Sequence, residues 1–476
     1  MSRTSLAEKA LALTLGLFLL AVLIRGGNTR TIVIATAMLA MVCLTLAAVV
    51  AWSTSRRLAI TVGNAFYVCA MLGLVVIGLA ALVPLSPETW LALPGRAAYA
   101  DVVAALRQPP IDLSSVSLSF DPVGASYATL SLLIALSVGL AAMLLPAPLL
   151  LSVLALFVGI AIAQACLGLL QLVFGTPSFL AFDTAVGSNR ATGTFVNKNH
   201  YATLLAMALP LMIFRTAGQF NFSQKVASPS PLSSIWWGVA TATVAAALVA
   251  SLSRAGSAAG FSVAVLASLI CGFRKQAITG QRFGLLGVAV LALALASMSS
   301  LSLLLDSLQG EAFADSAEGR KALVRLSMIG AISFFPVGSG LGSFSIAFQR
   351  FQADGVAGFI EHVHNDYVEL LFEAGALGCV VLICFAIAAV AAGLRLWKSQ
   401  SQTQPLSPAI ACWLGALAFA IHAWFDFPSH IPGLAIAVSL LFGASMNSTF
   451  VKHAEHHIRA PSKRRSSDRQ TASPIN

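Results

Sequence analysis

Residues 31–51 read TIVIATAMLAMVCLTLAAVVA, an apolar run without a single charge. A helix rises about 1.5 Å per residue, so roughly 20 such residues cross the ~30 Å hydrocarbon core of a bilayer. Runs of the same kind recur on either side, and predict spans at 7–24, 31–51, 58–83, 126–145, 148–174, 200–217, 235–252, 256–273, 283–305, 366–394, 408–424 and 431–447. The composition agrees. Apolar residues make up 58% of the 476 positions, and charged residues only 10%, against about 25% in soluble domains. Such a chain cannot hide its apolar surface in one water-soluble core. The expected fold is all-α and integral to the membrane, with about twelve transmembrane helices over residues 1–447. A hydrophilic, basic tail at 448–476 is expected to be disordered and cytoplasmic.

The first run could pass for a secretion signal, but Arg25 follows it directly and no small-x-small pattern precedes it. It is read as a retained helix. All seven cysteines lie inside apolar stretches and none forms a CxxC pair, so they read as small helix residues. The net charge of +10 would suggest nucleic acid in a soluble protein. Here the cations sit between apolar runs, where they orient helices in the bilayer, and no nucleic-acid partner is expected. With the N-terminus inside, seventeen of the 28 Lys and Arg fall on the inner side and eleven on the outer. This bias places both termini in the cytoplasm. The tail cluster Lys463-Arg464-Arg465 would favour anionic headgroups.

The same map leaves three long outer segments, 84–125, 175–199 and 306–365. Long loops usually carry structure or function of their own. In the last, Leu323, Leu326, Ile329 and Ile332 fall at helical spacing, which predicts a short amphipathic helix.

Five polar constellations fall on the outer face. RATGTFVNKNH (190–200) offers Arg190, Asn197, Asn199 and His200 at the mouth of a span, where Asn and His also serve simply as helix caps. SLSRAG (251–256) puts Arg254 between two apolar runs, a costly place unless the charge is paired, faces water or snorkels. Arg320, Lys321 and Arg325 lie on the loop helix, equally readable as a solvated face. Gly338-Ser339-Gly340-Leu341-Gly342 is glycine-rich enough for backbone N–H groups to approach an anion. In HVHNDYVELLFEAGALG (362–378), His362, Asp366, Glu369 and Glu373 share one helical stripe. The pair His362-x-His364 lacks an evident third ligand, so no metal is expected. HAWFDFPSH (422–430) brings Asp426 and His430 to the same mouth, or else forms only a proline-broken hairpin. Cations suit a diphosphate leaving group and a histidine suits base catalysis on a hydroxyl.

The order His364-Asn365, nine residues, then Gly375-x-x-Gly378 resembles the signature of the O-antigen ligase and O-antigen polymerase superfamily. RATGTFVNKNH, SLSRAG and the run from Gly319-Arg320 through PVGSGLGSF resemble further segments of it. The likeness extends over roughly 160–445. It implies a GT-C-like fold with a large periplasmic loop at 306–365 containing short helices, in a bacterial inner membrane. It also implies a glycosyltransferase that needs no cofactor or metal. Such an enzyme takes a glycan from an undecaprenyl-diphosphate carrier to lipid A–core or to another carrier-linked glycan. By the same resemblance, Arg190, Arg254, Arg320 and Arg325 would hold the diphosphate, His364 would act on the acceptor hydroxyl, and Asn365 and Asp366 would orient that histidine. The competing class is a transporter or flippase of lipid-linked substrates. That class predicts midplane charges and internal repeats, neither of which the sequence displays.

Overall fold

The computed structural model describes residues 4–23, 25–27, 29–54, 61–108, 113–175, 190–222, 231–272, 317–352, 358–400 and 405–450. It is a helical bundle. In chain order the long helices are α1 (Leu6–Leu20), α2 (Arg30–Ser53) and α3 (Val62–Ala81). After the short α4 (Pro87–Ala92) and α5 (Ala100–Leu106) come α6 (Pro122–Leu144), α7 (Ala147–Phe174), α8 (Lys198–Thr216), α9 (Pro231–Ala250) and α10 (Arg254–Gly272). The chain continues with α11 (Ala317–Phe334), a single turn α12 (Phe344–Ala347), α13 (Asp366–Lys398), α14 (Pro408–His422) and α15 (Pro432–Met446). The one sheet among the described residues is a two-residue antiparallel ladder, β1 (Pro84–Leu85) with β2 (Val116–Ser117), pairing Pro84 with Ser117 and Leu85 with Val116.

Among the described residues, eight helices are long and apolar enough to cross a membrane, and the chain is an all-α, multi-pass membrane protein. Eleven of the expected spans have a helix at their place. The expected span 283–305 and residues 451–476 of the expected tail lie outside the described residues. Helix starts follow ordinary capping chemistry: Ser5 and Glu8 form a reciprocal box on α1, and Thr29, Thr61, Ser86, Asp121 and Ser407 accept from their helices' first N–H groups.

α8 is the centre of the bundle. Asn199 through Arg215 are all buried, with α9, α10 and α14 packed around them. Small residues set the close approaches: a Cβ at Gly256 would meet Ala202 at 2.5 Å, and one at Gly415 the Met207 carbonyl at 2.6 Å.

α14 and α15 are short, 15 residues each, or roughly 22 Å. α15 runs alongside α6, which has 23 residues. The two helices end together, where Asn447 Nδ2 donates to the carbonyls of Ala142 and Leu145, both at 2.8 Å. At the other end α15 therefore starts about eight residues, roughly 12 Å, short of the start of α6. The turn joining α14 to α15, residues 423–431, is recessed into the bundle by that depth.

The expected amphipathic helix of the large loop exists as α11, but its faces differ from the expectation. Leu323 is buried, whereas Ile329 and Ile332 are exposed. The glycine-rich turn that follows is structural and not an anion cradle. Its N–H groups are already used: Gly338 N donates to Phe334 O (2.9 Å), Ser339 N to Phe372 O (3.0 Å) and Gly340 N to Glu373 O (2.9 Å). Gly338, Gly340 and Gly342 all have positive φ and lie against the backbone of Glu373, Ser119 and Gly124 respectively, so side chains are excluded there. The turn inserts at a break in α13, where Gly375 adopts φ 54° and Ala376 N donates to Pro336 O at 2.9 Å. Arg96 locks the assembly from the other side. Fully buried, it donates to Leu118 O (2.6 Å) and Gly338 O (3.3 Å), with its guanidinium 4.7 and 4.9 Å from the Trp90 and Phe120 ring centres.

Candidate functional site

The sequence has eight histidines. Every one that falls among the described residues, namely His200, His362, His364, His422 and His430, belongs to one cluster around Asp426 and Phe427 in the recessed 423–431 turn.

The cluster begins with α13. Its N-cap is Asn365, whose Oδ1 accepts from Tyr367 N and Val368 N at 3.1 Å, while Nδ2 donates to Trp424 O at 3.1 Å. Asp366 N donates to Ala423 O at 2.9 Å, Ser429 N donates to Asp366 Oδ2 at 3.0 Å, and Tyr367 OH donates to Ala420 O at 2.7 Å. The first turn of α13 is thereby stapled to the 420–429 segment. Neither Asn365 nor Asp366 contacts the imidazole of His364 in these bonds. The residue that does is Asp426, whose Oδ1 lies 3.0 Å from His364 Nδ1.

Asp426 is fully buried. Burial alone would raise its pKa, but the hydrogen bond from His364 and the nearby His200 and His422 outweigh it and hold the carboxyl far below the usual carboxylate range. A carboxylate offers only lone pairs, so Nδ1 of His364 carries the proton and Nε2 keeps its basic lone pair. The His364 side chain is 19% exposed, against 0% for Asp426. Its backbone sits at φ 58°, a left-handed conformation that a non-glycine residue holds only under compensation. His200, near the start of α8, places Nε2 3.8 Å from the other Asp426 oxygen, and His422 Nδ1 lies 2.5 Å from Thr203 Oγ1.

Beside this pair lies a second assembly. Glu369 Oε1 meets His362 Nδ1 at 2.8 Å and His430 Nε2 at 3.2 Å, and its Oε2 accepts from Val363 N at 3.0 Å. Burial works against a charged His362, but Glu369 next to it, with Asp366 and Glu373 behind, lifts its pKa to about 9. Burial dominates at His430, where it outweighs Glu369 and, with the charge of His362, lowers the pKa to about 4. The Phe427 ring separates the two assemblies, stacked on His362 at 4.2 Å and edge-on to His364 at 5.0 Å and His200 at 4.9 Å. His362, Glu369 and His430 each offer one ligand atom within 4.8 Å of the others, so among the described residues these three could hold a metal. Glu373, one turn further along α13, is turned away toward the loop, and its Oε1 accepts from Phe344 N at 2.8 Å.

The two arginine segments meet each other and adjoin the histidines. Ala191 N donates to Ala250 O at 3.0 Å, and Ser253 Oγ donates to Asn199 Oδ1 at 2.8 Å, which sets RATGTFVNKNH against SLSRAG. Asn197 caps α8, and Arg254 opens α10 two residues after Leu252, which sits at φ 53°. Arg190 and Arg254 are both half-buried. Two glutamines of the apolar α7, unnoticed in the sequence, fix the Arg190 segment. Gln171 accepts from Thr192 N and Gly193 N and donates to Gly193 O, while Gln164 pairs with Thr194. Two polar amides in an otherwise apolar span were the available signal. Arg320, half-buried, is within electrostatic range of His422. Arg325 lies on the exposed face of α11 and is not drawn into the cluster.

A multi-pass helical membrane protein with a recessed histidine–carboxylate cluster rimmed by arginines is thus the class that fold and site define. Residues 239–383 match the family model described as O-Antigen ligase, so over that stretch the chain is similar to this family. No curated protein matches the chain.

Proposed function

We propose that the protein is an inverting glycosyltransferase of the GT-C type, moving a glycan from an undecaprenyl-diphosphate carrier to a sugar hydroxyl during surface polysaccharide assembly. The acceptor is lipid A–core or another carrier-linked glycan. The reading sets the cluster at the periplasmic face of the inner membrane and both termini in the cytoplasm. The observation that carries it is the His364–Asp426 pair, which leaves Nε2 of a partly exposed imidazole basic.

In this mechanism His364 Nε2 takes the proton from the acceptor hydroxyl as its oxygen attacks the anomeric carbon. The bond from that carbon to the diphosphate oxygen breaks, and its electron pair leaves with the lipid diphosphate. Asp426 stabilises the imidazolium that forms and fixes its tautomer. Arg190 and Arg254, with Arg320, meet the charge growing on the leaving group, a task suited to the planar donor fork of arginine. Asn365 and Asp366 act at one remove, by holding the turn that carries Asp426. No step requires a metal. The test is glycan transfer by purified protein in liposomes given undecaprenyl-diphosphate glycan and acceptor. The wild type is expected to transfer, and His364→Ala to be inactive at unchanged yield and thermal stability. Full transfer by that variant would overturn the assignment.

A further inference from the structure

The membrane face opposite the cluster holds a charge that the site does not use. α8 runs from His200, at the cluster, to Arg215 in its last turn, roughly 22 Å away. Arg215 is only 4% exposed. Its Nη2 donates to Ser233 Oγ at 2.9 Å, and its guanidinium lies 5.3 Å from the centre of the Trp237 ring. Among the described residues, Nε and Nη1 have no hydrogen-bond partner, and no carboxylate pairs with the cation. A guanidinium buried without a counter-charge is costly, and the vicinity of α9 shows which anion can supply one.

Ser233, Trp237 and Thr241 recur every fourth residue and face α8. The first two hold Arg215, and Thr241 Oγ1 meets Thr216 Oγ1 at 3.1 Å. Thr216 is thus about 12 Å along α9 from Ser233. α8 ends short of the start of α9, and Arg215 reaches back along α9 toward the membrane surface, as an arginine does when its backbone stands in the apolar layer. The level of that surface is marked by Trp52 at the end of α2, Trp236 at the start of α9 and Trp397 at the end of α13, all exposed. The guanidinium therefore stands at headgroup level. The first N–H groups of α9 have no carbonyl within their own helix, and this positive helix end adds to the charge of Arg215. On the neighbouring stripe, Leu232, Ile235, Trp236 and Val239 recur at helical spacing and are all exposed, a face suited to acyl chains.

We infer that Arg215 and the first turn of α9 bind the phosphate of an anionic phospholipid, of the phosphatidylglycerol kind, in the leaflet opposite the cluster. The headgroup approaches over Ser233 and Ser234, both partly exposed. The unpaired edge of the guanidinium turns to meet it, and the acyl chains lie along the stripe from Leu232 to Val239. The stripe selects a lipid over free phosphate, and the uncompensated cation selects a net anionic headgroup over a zwitterionic one. Gln219 Oε1, just beyond Arg215, accepts from Leu406 N at 3.1 Å, before the start of α14. A lipid held here braces the far ends of α8 and α14, the two helices that carry His200 and His422.

The test is native mass spectrometry of the full-length protein, released from neutral detergent micelles that contain phosphatidylglycerol and phosphatidylcholine in equal amounts and with the same acyl chains. The wild type is expected to retain one phosphatidylglycerol in roughly tenfold preference to phosphatidylcholine. Arg215→Gln should lose that preference. Lys398→Gln, which removes an exposed cation on the same face, should keep it. Equal retention of the two lipids by the wild type would overturn the site without recourse to any variant, and so would an undiminished preference in Arg215→Gln. Loss of preference in Lys398→Gln as well would mean diffuse surface charge in place of a built site. Excess inorganic phosphate is expected to leave the retained lipid in place, and displacement by it would show a soluble-anion site and end the lipid assignment.

Discussion

Two histidine–carboxylate assemblies share the Phe427 ring and differ in one respect. Asp426 serves His364 through one short contact, leaving the second ring nitrogen of a partly exposed imidazole for chemistry. Glu369 is saturated instead, with His362, His430 and the Val363 N–H all directed at its two oxygens. An open pair can move a proton, whereas a closed triad holds its protons and ties the loop to α13. The lesson is that histidines crowded into one recess need not share one role. The carboxylate's remaining valence decides which of them is reactive.

The largest effects should break the open side. His364→Ala is expected to lower transfer roughly a hundredfold to ten-thousandfold, the usual worth of a positioned base. Asp426→Asn keeps the shape but releases the tautomer, and a loss of similar order is expected from the precedent of buried aspartates behind catalytic histidines. Initial rates of glycan transfer decide both. An Asp426→Asn protein with wild-type rates would mean that the pair is structural. Next come the arginines. Arg254→Ala should cost roughly a hundredfold to a thousandfold in rate, as a removed donor to a developing charge does, with membrane insertion unchanged. Arg325→Ala, on the exposed face of α11, should slow transfer by less than Arg254→Ala at saturating donor. The reverse order would relocate the diphosphate.

The contrast between the two assemblies was only partly legible in the sequence. Eight of the spans were, because an uncharged run of some 20 residues has one stable fate in a bilayer. His364 and the two leading arginines stood out, because charge beside apolar runs is costly and calls for a reason. The partner of His364 did not stand out. Asp426 lies 62 positions away, and the approach depends on α14 and α15 being too short to carry their connecting turn to the end of α6. Asn365 and Asp366 were the expected orienting residues because they are adjacent in sequence. However, adjacency at a helix start leads to capping, and their bonds go to the 423–429 backbone. The glycine-rich turn was misleading for a related reason. Glycine permits close approach of the backbone to anything, and here the thing approached is the protein's own break at Gly375.

Smaller effects test the closed side. His362 has its pKa raised to about 9, against about 6.5 for a free imidazole. The stability that this pairing contributes is complete below about pH 6.5 and is lost as pH rises through about 9, and its size is about 2 to 3 kcal/mol. His430, lowered to about 4, works in the opposite sense: buried as a neutral ring, it costs stability as pH falls from about 6.5 toward 4. Thermal unfolding of the purified protein in detergent should therefore show a maximum near neutrality. His362→Gln should flatten the alkaline limb while leaving most of the transfer activity. An alkaline limb unchanged by that substitution would mean that Glu369 does not charge His362.

The smallest expected effect is none at all, and it concerns metal. His362, Glu369 and His430 have the composition of a three-ligand site, and their spacing admits an ion. Two features argue that the triad is closed by protons instead. Glu369 Oε2 is committed to the Val363 N–H, and Oε1 is within hydrogen-bonding reach of both imidazoles at once, so the oxygen a metal would take already bridges its would-be fellow ligands. A metal would also require a neutral His362, against the pull of Glu369, Asp366 and Glu373. Prolonged dialysis against a chelator should leave the transfer rate and the thermal midpoint unchanged, and elemental analysis should find no stoichiometric transition metal. A drop in the midpoint after chelation, restored by zinc in the wild type and not in His430→Gln, would turn the closed assembly into a metal site and leave the open pair as the catalytic one.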